Sequence, residues 1–294
     1  MSDGDKRGMK SDRGEKVDKN EILKLKKKIF LTAYRAGAAH LASSFSVMDI
    51  LYVLYCKEII DVESIRLEKE DRDRVILSKG HACLAQYVVL NRVGLISDEE
   101  LNGFCQEGSH LGGEPRLGSA RGIEASTGSL GHGLPYAVGI AMAYRLNNYQ
   151  HRVYVVIGDG ECQEGSVWEA VMSAVNFKLD NLTVIMDNNR LQAMGSVEEI
   201  MGVRSWKEKW ESFGFDVLEV DGHDTGQIKD AVSGPVKNNV PRLVIANTIK
   251  GKGVSFMEGV PIWHYRMPDE EELQVVKREL QISDKELREC GIHT

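Results

Sequence analysis

Two short polar segments contain the residue types from which a metal site can be built. The sequence G-D-G at residues 158–160 follows the apolar run 153–157, and Asn189 follows the next apolar run, 182–186. A carboxylate between two glycines, here Asp159, can approach a cation while the backbone bends tightly around it. One carboxylate and one amide oxygen suit Mg²⁺, which also takes ligands from water and a phosphate ester. Each segment alone is typical of a turn or loop, but together they favour a metal–diphosphate site.

The elements that must position these segments are short apolar strands separated by helix-length segments. Each predicted strand is continuously apolar rather than alternating, as expected when helices cover both faces of a parallel sheet. The five predicted strands are Arg74 to Leu77, Val153 to Ile157, Leu182 to Met186, Asp216 to Val220 and Leu243 to Ala246. The pattern predicts an α/β fold, a doubly wound, mostly parallel sheet flanked by helices. Ligands bind such sheets outside the carboxyl ends of the strands, where Asp159 and Asn189 should lie side by side.

The two ends of the chain differ from this pattern. Residues 1–20 are highly charged and contain no aromatic side chain, so the sequence predicts a disordered tail there. After the tail, apolar residues recur at helical spacing up to Gly37, and a second, almost wholly apolar helix is predicted over Val47 to Lys57. Residues 21–294 are predicted to form one domain, with a C-terminal helical extension that begins near Pro261.

The amino-acid composition and net charge exclude several classes of function. The chain has 294 residues, 37 basic and 44 acidic side chains, and a formal net charge of −7. This balance excludes a sequence-wide positive field that would attract nucleic acid or anionic membranes. No apolar stretch is long enough to cross a membrane. The five cysteines contain no C-x-x-C pair, which argues against a zinc cluster or a disulfide framework and predicts a cytoplasmic location.

Four motifs stand in order along the chain. They are S-K-G-H-A at residues 78–82, S-T-G-S-L-G at 126–131, G-D-G-E-C-Q-E-G at 158–165, and K-G-K-G-V-S-F-M followed by W-H at 250–264. This set resembles the N-terminal part of transketolase, a thiamin diphosphate enzyme. The resemblance extends from about Gly37 to Met267 and implies the thiamin diphosphate-binding fold, in its diphosphate-binding domain.

The resemblance implies roles for individual residues. The metal ion, Mg²⁺ with Ca²⁺ or Mn²⁺ as alternatives, is held by the side chains of Asp159 and Asn189 and by the carbonyl of Leu191. The N–H of Gly160 is expected to meet a phosphate oxygen, aided by the dipole of the following helix. The residues implied to bind thiamin diphosphate are Gly128, Ser129, Leu130, Gly158, Asp159, Gly160, Asn189, His81 and His264. The residues implied to be catalytic are His40, His81 and His264. Histidine can exchange protons with a sugar hydroxyl or carbonyl near neutral pH.

The resemblance is incomplete at three places. Glu114 stands where the family has a histidine that contacts the terminal hydroxyl of the donor, and residues 41–44 replace a proline and glycines. His132 stands where relatives commonly have glutamine. These departures leave the cofactor residues in place but put the ordinary sugar phosphate donor in doubt. Glu114 is interpreted either as an acceptor for a polyol or an amine, or as part of a surface loop.

The resemblance also implies a second protein chain. In the family, a glutamate from a second domain activates the cofactor, which takes a two-carbon ketol unit from a ketose and passes it to an aldose. Only some thirty residues follow His264, too few for that domain. The sequence therefore predicts a transketolase-type transferase subunit that is inactive alone, with a C-terminal partner subunit that carries the pyrimidine-binding domain, in an α2β2 heterotetramer. Glu164 matches a family glutamate at the subunit interface, and an exposed loop glutamate is the alternative.

Three other functions stay open. The first is another thiamin diphosphate enzyme, such as a deoxyxylulose phosphate synthase or the α chain of a 2-oxoacid dehydrogenase; the pair Trp263-His264 and the T-G-S-L-G turn disfavour both. The second is a non-catalytic subunit that only holds the cofactor. The third is a nicotinamide dehydrogenase, which the lack of G-x-G-x-x-G after the first strand disfavours.

Overall fold

Five parallel strands form the centre of the molecule, which a computed structural model describes over residues 3–37 and 40–290. The strands are β1 Arg74–Leu77, β2 Val153–Gly158, β3 Leu182–Asn188, β4 Asp216–Asp221 and β5 Arg242–Asn247. Their order across the sheet is β1-β2-β3-β5-β4, and every neighbouring pair is parallel. The predicted α/β fold is therefore confirmed, and each strand lies on the apolar run that predicts it.

Helices cover both faces of this sheet. The helices of the described residues are α1 Asp3–Ala36, α2 Leu41–Cys56, α3 Val62–Arg66, α4 Cys83–Arg92, α5 Asp98–Asn102, α6 Gly133–Leu146, α7 Gly165–Asn176, α8 Val197–Met201, α9 Trp206–Phe213, α10 Thr225–Ser233, α11 Glu270–Glu279 and α12 Asp284–Glu289. Short 3₁₀ helices cover Gly80–Ala82, Gly160–Gln163 and Pro261–His264. One face of the sheet packs against α1, α2, α4 and α10, and the other against α6, α7 and α9. In this part of the chain no helix is long and apolar enough to cross a bilayer.

The two covered faces explain why the inner strand β2 is continuously apolar. In β2, Tyr154 and Val156 belong to the core cluster beneath α1 and α2, whereas Val153, Val155 and Ile157 belong to the cluster beneath α6 and α7. All five side chains are buried. Because successive side chains point to opposite faces, a strand covered on both sides has no position at which a polar residue meets water.

The packed domain begins earlier than its composition predicts. Helix α1 begins at Asp3, and the carboxylate of Asp18, within the predicted tail, is buried. It accepts hydrogen bonds from the hydroxyls of Tyr52 and Thr225 at 3.0 and 2.9 Å, and it pairs with Lys57. Extending a helix that packing has already nucleated costs little, because each added residue gains a hydrogen bond. The ordered fold therefore includes part of the predicted tail, whose first two residues lie outside the described range.

The junction between α1 and α2 positions His40. Helix α1 ends at Ala36, and Gly37 adopts a φ of +66°, a left-handed conformation that glycine tolerates at a helix end. His40 then occupies the N-cap position of α2, without a side-chain capping hydrogen bond, and α2 begins at Leu41 rather than at the predicted Val47. Helix α2 is buried along nearly its whole length, as its apolar sequence predicts. Residues 38–39 between the two helices lie outside the described range.

The C-terminal extension folds back onto the first helix. Its apolar side chains belong to the core cluster that contains α1: Leu273, Val276, Leu280, Ile282 and Leu287. The Nζ of Lys27 donates to the carbonyl of Gln281 at 2.7 Å and pairs with Glu286 at 2.5 Å. Residues 270–289 thus pack on the same body as the sheet, on the side of α1.

Candidate active site

The carboxyl ends of β2 and β3 bring Asp159 and Asn189 together. The two strands are neighbours and end nearly level. The Oδ2 of Asp159 accepts a hydrogen bond from the backbone N–H of Arg190, which follows Asn189, at 2.6 Å. Asp159 and Asn189 are both buried, and they line one cleft of about 1040 Å³ together with Leu191 and Lys250. The structure thus brings the predicted oxygen donors together, while their role as metal ligands stays a prediction.

The charges around these donors fit a bound cation. Burial, followed by the neighbouring Asp187, raises the pKa of Asp159 to about 6, so its charge is only partly compensated. The ammonium of Lys250 donates to the carbonyls of Leu191 and Gln192 at 3.3 and 3.4 Å, which shows that these oxygens accept a cationic partner. No group of three or more His, Cys, Asp or Glu within the described residues could hold a metal ion by itself. This set of carboxylate, amide and carbonyl oxygens suits Mg²⁺ that takes further ligands from water and a diphosphate.

The backbone after Asp159 turns back on the Asp159 side chain, and the expected contact of the Gly160 N–H with a phosphate oxygen stays a prediction. The N–H of Gly160 donates to Oδ1 of Asp159 at 2.8 Å and is therefore engaged within the chain. Residues 160–163 form a short 3₁₀ helix, and α7 begins only at Gly165, so the dipole of α7 does not start at the G-D-G segment. A side chain at Gly160 would collide with Gln192, whose Cγ lies 2.8 Å from an added Cβ. A larger residue at this position would therefore have to displace the half-buried side chain of Gln192.

Three histidines from separate segments meet beside this cleft. The ring centroids lie 5.4 Å apart for His40 and His81, 5.6 Å for His40 and His264, and 5.3 Å for His81 and His264. His40 precedes α2, whereas His81 and His264 lie in 3₁₀ helices that follow β1 and the K-G-K-G motif. The ring of Tyr265 lies 4.7 Å from that of His40. We call His40, His81 and His264 the histidine cluster. It contains every residue predicted to be catalytic, and the catalytic roles themselves stay a prediction.

Lys250 joins the histidine cluster to the metal donors. Its Nζ lies 2.8 Å from Nδ1 of His264. Burial, followed by the charge of Lys79, lowers the pKa of Lys250 to about 8, so the ammonium is the main form at neutral pH. Since an ammonium only donates, Nδ1 of His264 accepts, and the proton of the neutral ring lies on Nε2. Lys250 was not predicted as a site residue, although its place in the K-G-K-G motif was an available signal.

We expect all three rings of the cluster to be neutral at pH 7. Burial, helped by neighbouring lysines, lowers the pKa of His40 and His81, and it lowers that of His264 from 6.5 to about 4. The unfolded chain therefore binds more protons than the folded chain between about pH 4 and 6.5, so stability should rise with pH across that window. An NMR titration of the ring protons measures the pKa of each ring in the cluster. A cluster ring that titrates at the ordinary histidine pKa would contradict the prediction.

The glycine-rich turn lies against Glu114. Gly128 has a φ of +135°, and a Cβ added there would lie 1.4 Å from Oε2 of Glu114. Ser129 is exposed and Leu130 half-buried. The Nδ1 of His132 lies 3.3 Å from Oγ of Ser129 and 3.1 Å from the carbonyl of Leu130. His132 is thus an exposed part of the turn itself rather than a member of the histidine cluster.

A cavity of about 310 Å³ adjoins the histidine cluster. The polar side chains that line it include His40, Ser44, His81, Cys83, Glu114 and Tyr265. The hydroxyl of Ser44 is buried and has no hydrogen-bond partner among the residues that the structure describes. Glu114 shares this cavity with two of the predicted catalytic residues, which favours the interpretation that it faces a substrate.

A buried network behind the metal donors was not predicted. Asp187 accepts hydrogen bonds from Lys79, from the hydroxyls of Ser46 and Thr248, and from Nδ2 of Asn189. Burial alone raises the pKa of Asp187, but Lys79 and the hydroxyls hold it below its ordinary value. Because Nδ2 of Asn189 is turned towards Asp187, its Oδ1 is the end that can face a cation. This oxygen also accepts the N–H of Leu191 at 3.1 Å, which leaves its second lone pair for a cation. The available signal was the position of two charged residues beside the motifs at the ends of β1 and β3.

Most of the chain matches one protein family. The family described as "Transketolase, thiamine diphosphate binding domain" matches residues 23–288. The chain belongs to this transketolase family. The predicted N-terminal transketolase chain, its thiamin diphosphate-binding domain and its class as a transketolase-type transferase are therefore confirmed.

Two relatives are subunits of similar length. An apulose-4-phosphate transketolase subunit of Phocaeicola vulgatus is 41% identical over 258 residues, which cover 87% of this chain and 91% of the relative. The 6-deoxy-6-sulfo-D-fructose transketolase subunit SqwG of Clostridium sp. is 35% identical over 248 residues, which cover 84% of this chain and 90% of the relative. The crystal structure of transketolase from Campylobacter jejuni matches with a TM-score of 0.77 and 29% identity over 92% of this chain but 45% of that chain. This transketolase chain therefore spans about half the length of the solved transketolase.

Proposed function

We propose that the chain is the diphosphate- and metal-binding subunit of a two-component transketolase. The enzyme transfers a two-carbon ketol unit from a ketose or ketose phosphate donor to an aldose acceptor. The observation that carries the proposal is the convergence of Asp159, Asn189 and the histidine cluster at one edge of the sheet. Two relatives of similar length are named as transketolase subunits, and a whole transketolase chain is about twice as long.

Thiamin diphosphate and Mg²⁺ are the proposed cofactors. The side chains of Asp159 and Asn189 and the carbonyl of Leu191 would hold the metal ion. The segments at residues 128–130 and 158–160, with two rings of the histidine cluster, would hold the thiamin diphosphate. When bound, the cofactor supplies the electron sink for breaking and forming the bond to the ketol unit.

We propose that the histidine cluster accepts and donates the protons that move during the reaction. A neutral imidazole accepts a proton at one ring nitrogen and donates from the other. His264 presents its Nε2–H as a donor, because Lys250 engages Nδ1. His40 shares the cavity with Ser44 and Glu114 and is the ring proposed to exchange a proton with a sugar hydroxyl or carbonyl.

The carboxylate of Glu114 limits which part of the ketose donor can lie beside it. Within the described residues it is the only carboxylate among the side chains that line the cavity. A carboxylate accepts hydrogen bonds from hydroxyl or ammonium groups and disfavours a second negative charge nearby. We therefore place an uncharged or cationic part of the donor in this cavity, with any phosphate group outside it.

Exposed apolar side chains support assembly with other chains. Next to His264, the side chains of Ile262 and Tyr265 are 64% and 66% exposed, and a partner with the pyrimidine-binding domain would cover them. We propose a second contact face at α6 and α7, where Glu164 precedes α7 and where the exposed apolar side chains are Tyr136, Leu146, Met172 and Phe177. Contact between two copies through this face would produce the proposed α2β2 heterotetramer.

All five cysteines are free thiols, which supports the proposed cytoplasmic location.

The chain alone is expected to be inactive, because the residues that activate the cofactor would come from the partner. The test uses the purified chain, thiamin diphosphate and Mg²⁺, with and without the product of the neighbouring reading frame. Transfer of a ketol unit to an aldose should require both proteins, and the partner alone should also be inactive. Product analysis on a panel of ketoses then identifies the donor.

Other outcomes would contradict the proposal in distinguishable ways. Substantial turnover by the lone chain would show that no partner is needed. Release of carbon dioxide from a 2-oxoacid would indicate a decarboxylating thiamin diphosphate enzyme. Cofactor binding without turnover in the presence of the partner would indicate a non-catalytic subunit.

A further inference from the structure

Glu161 lies at the meeting point of three loops. It belongs to the 3₁₀ helix after β2, and its side chain is only 2% exposed. Its Oε1 accepts hydrogen bonds from the hydroxyl of Ser78 and from the N–H of Gly131 at 2.8 Å. Its Oε2 accepts from the N–H of Gly158 at 3.1 Å. One buried carboxylate therefore connects the loops after β1 and β2 with the glycine-rich turn.

Burying a carboxylate this deeply costs free energy unless hydrogen bonds offset the lost hydration. Burial raises the pKa of Glu161, while the hydrogen bonds from Ser78, Gly131 and Gly158 and the more distant charge of Lys79 oppose this rise. An apolar side chain would fill the same volume without this cost. The presence of the carboxylate is therefore explained by the donors it holds rather than by packing.

The three donors all belong to segments assigned to the cofactor. Ser78 begins the S-K-G-H-A motif, Gly131 ends the S-T-G-S-L-G motif, and Gly158 begins the G-D-G segment. The Oγ of Ser78 also accepts from the N–H of Gly133 at 3.1 Å, so the turn is held at two points. The hydroxyl of Ser166, in α7, also donates to the carbonyl of Gly131 at 2.9 Å. Glu161 is the side chain that bonds both the turn, at Gly131, and the G-D-G segment, at Gly158.

We infer that Glu161 is a positioning residue that holds the turn 128–131 at a set distance from the G-D-G segment, so that thiamin diphosphate spans both. The inference rests on the proposed function, because it takes these two segments as the ends of one cofactor site. All three groups that face Glu161 are donors, so the position requires a group that only accepts. In E161Q the amide N–H₂ would face one of these donors and break one connection while keeping the size of the side chain.

The first measurement concerns binding to the folded chain. We expect E161Q to weaken thiamin diphosphate binding in the presence of Mg²⁺ by about 10- to 100-fold, the loss typical of partners that orient ligand-binding groups. Inorganic pyrophosphate with Mg²⁺ should lose less affinity, because it needs only the G-D-G end of the site. A merely structural role would not separate the two ligands. E211Q, which changes an exposed glutamate of α9, is the matched control and should bind both ligands as the unaltered chain does.

The second measurement needs no ligand. Amide hydrogen exchange of residues 128–133 and 156–160 should be faster in E161Q, because the N–H groups of Gly131 and Gly158 lose a shared acceptor. S78A, which removes one donor and keeps the carboxylate, should give a smaller loss of affinity in the same direction and tests the inference if E161Q does not fold.

The outcomes separate the inference from the proposed function. Unchanged affinity and unchanged exchange in E161Q, or unchanged affinity in S78A, would overturn the positioning role. Failure of the unaltered chain to bind thiamin diphosphate would overturn the proposed function. In that case faster exchange in both segments of E161Q would still support the connection through Glu161, and exchange equal to that of the unaltered chain would refute it.

Discussion

Replacement of Asp159 by asparagine is expected to abolish metal-dependent binding of thiamin diphosphate. Asp159 is the one carboxylate among the proposed metal ligands, and D159N keeps its size while removing its charge. Loss of an outer partner of a metal ligand costs about 10- to 100-fold in affinity, so loss of the charged ligand itself should exceed about 100-fold. Calorimetric titration with thiamin diphosphate, with and without Mg²⁺, measures the effect.

E198Q is the matched control for this experiment. Glu198 lines the same cleft, is exposed and is not a proposed ligand. E198Q removes the same charge from the same cleft, and its effect should be small because water and salt screen an exposed charge. Urea unfolding establishes that D159N is folded at the temperature of the titration. If D159N keeps Mg²⁺-dependent binding, Asp159 and Asn189 do not hold the metal ion and the proposed site is wrong.

Loss of one member of the buried pair Lys79–Asp187 should strongly destabilise the fold. Removing one partner of a buried ion pair costs about 3–5 kcal/mol in the free energy of unfolding. D187A leaves the ammonium of Lys79 without its counter-charge and takes the acceptor from the hydroxyls of Ser46 and Thr248. K79M leaves Asp187 with both of these hydroxyl donors. We therefore expect D187A to cost more than K79M.

Urea unfolding of the two single variants and of K79M/D187A measures this effect. The double variant should lose less stability than the sum of the single variants, because no buried charge is left unpaired. R121M breaks the exposed pair Arg121–Glu68, whose side chains are 54% and 68% exposed, and should cost less than about 1 kcal/mol. A cost of D187A no larger than that of R121M would show that the buried pair does not organise this edge of the sheet.

Much of the fold can be predicted from local patterns. The inner strands β2, β3 and β5 lie on largely continuous apolar runs, because a parallel strand covered on both faces must be apolar at nearly every position. The edge strand β4, with the sequence D-V-L-E-V-D, is only partly buried and does not follow this pattern. Asp159 and Asn189 are predictable for a related reason: polar groups of such a sheet gather where its strands end. The first helix is the exception, since composition predicts a tail where Asp18 is buried by partners from α2 and α10.

By itself the sequence determined which segments reach the carboxyl edge of the sheet and, through its motifs, the family and the candidate residues. Only the tertiary structure decided which side chains pair there. Lys79 and Asp187 are separated by 108 residues, and Ser78 and Glu161 by 83. Periodicity along one element encodes the face that is buried. Contact between side chains of different elements depends on the distances and angles at which those elements pack, which no local pattern contains.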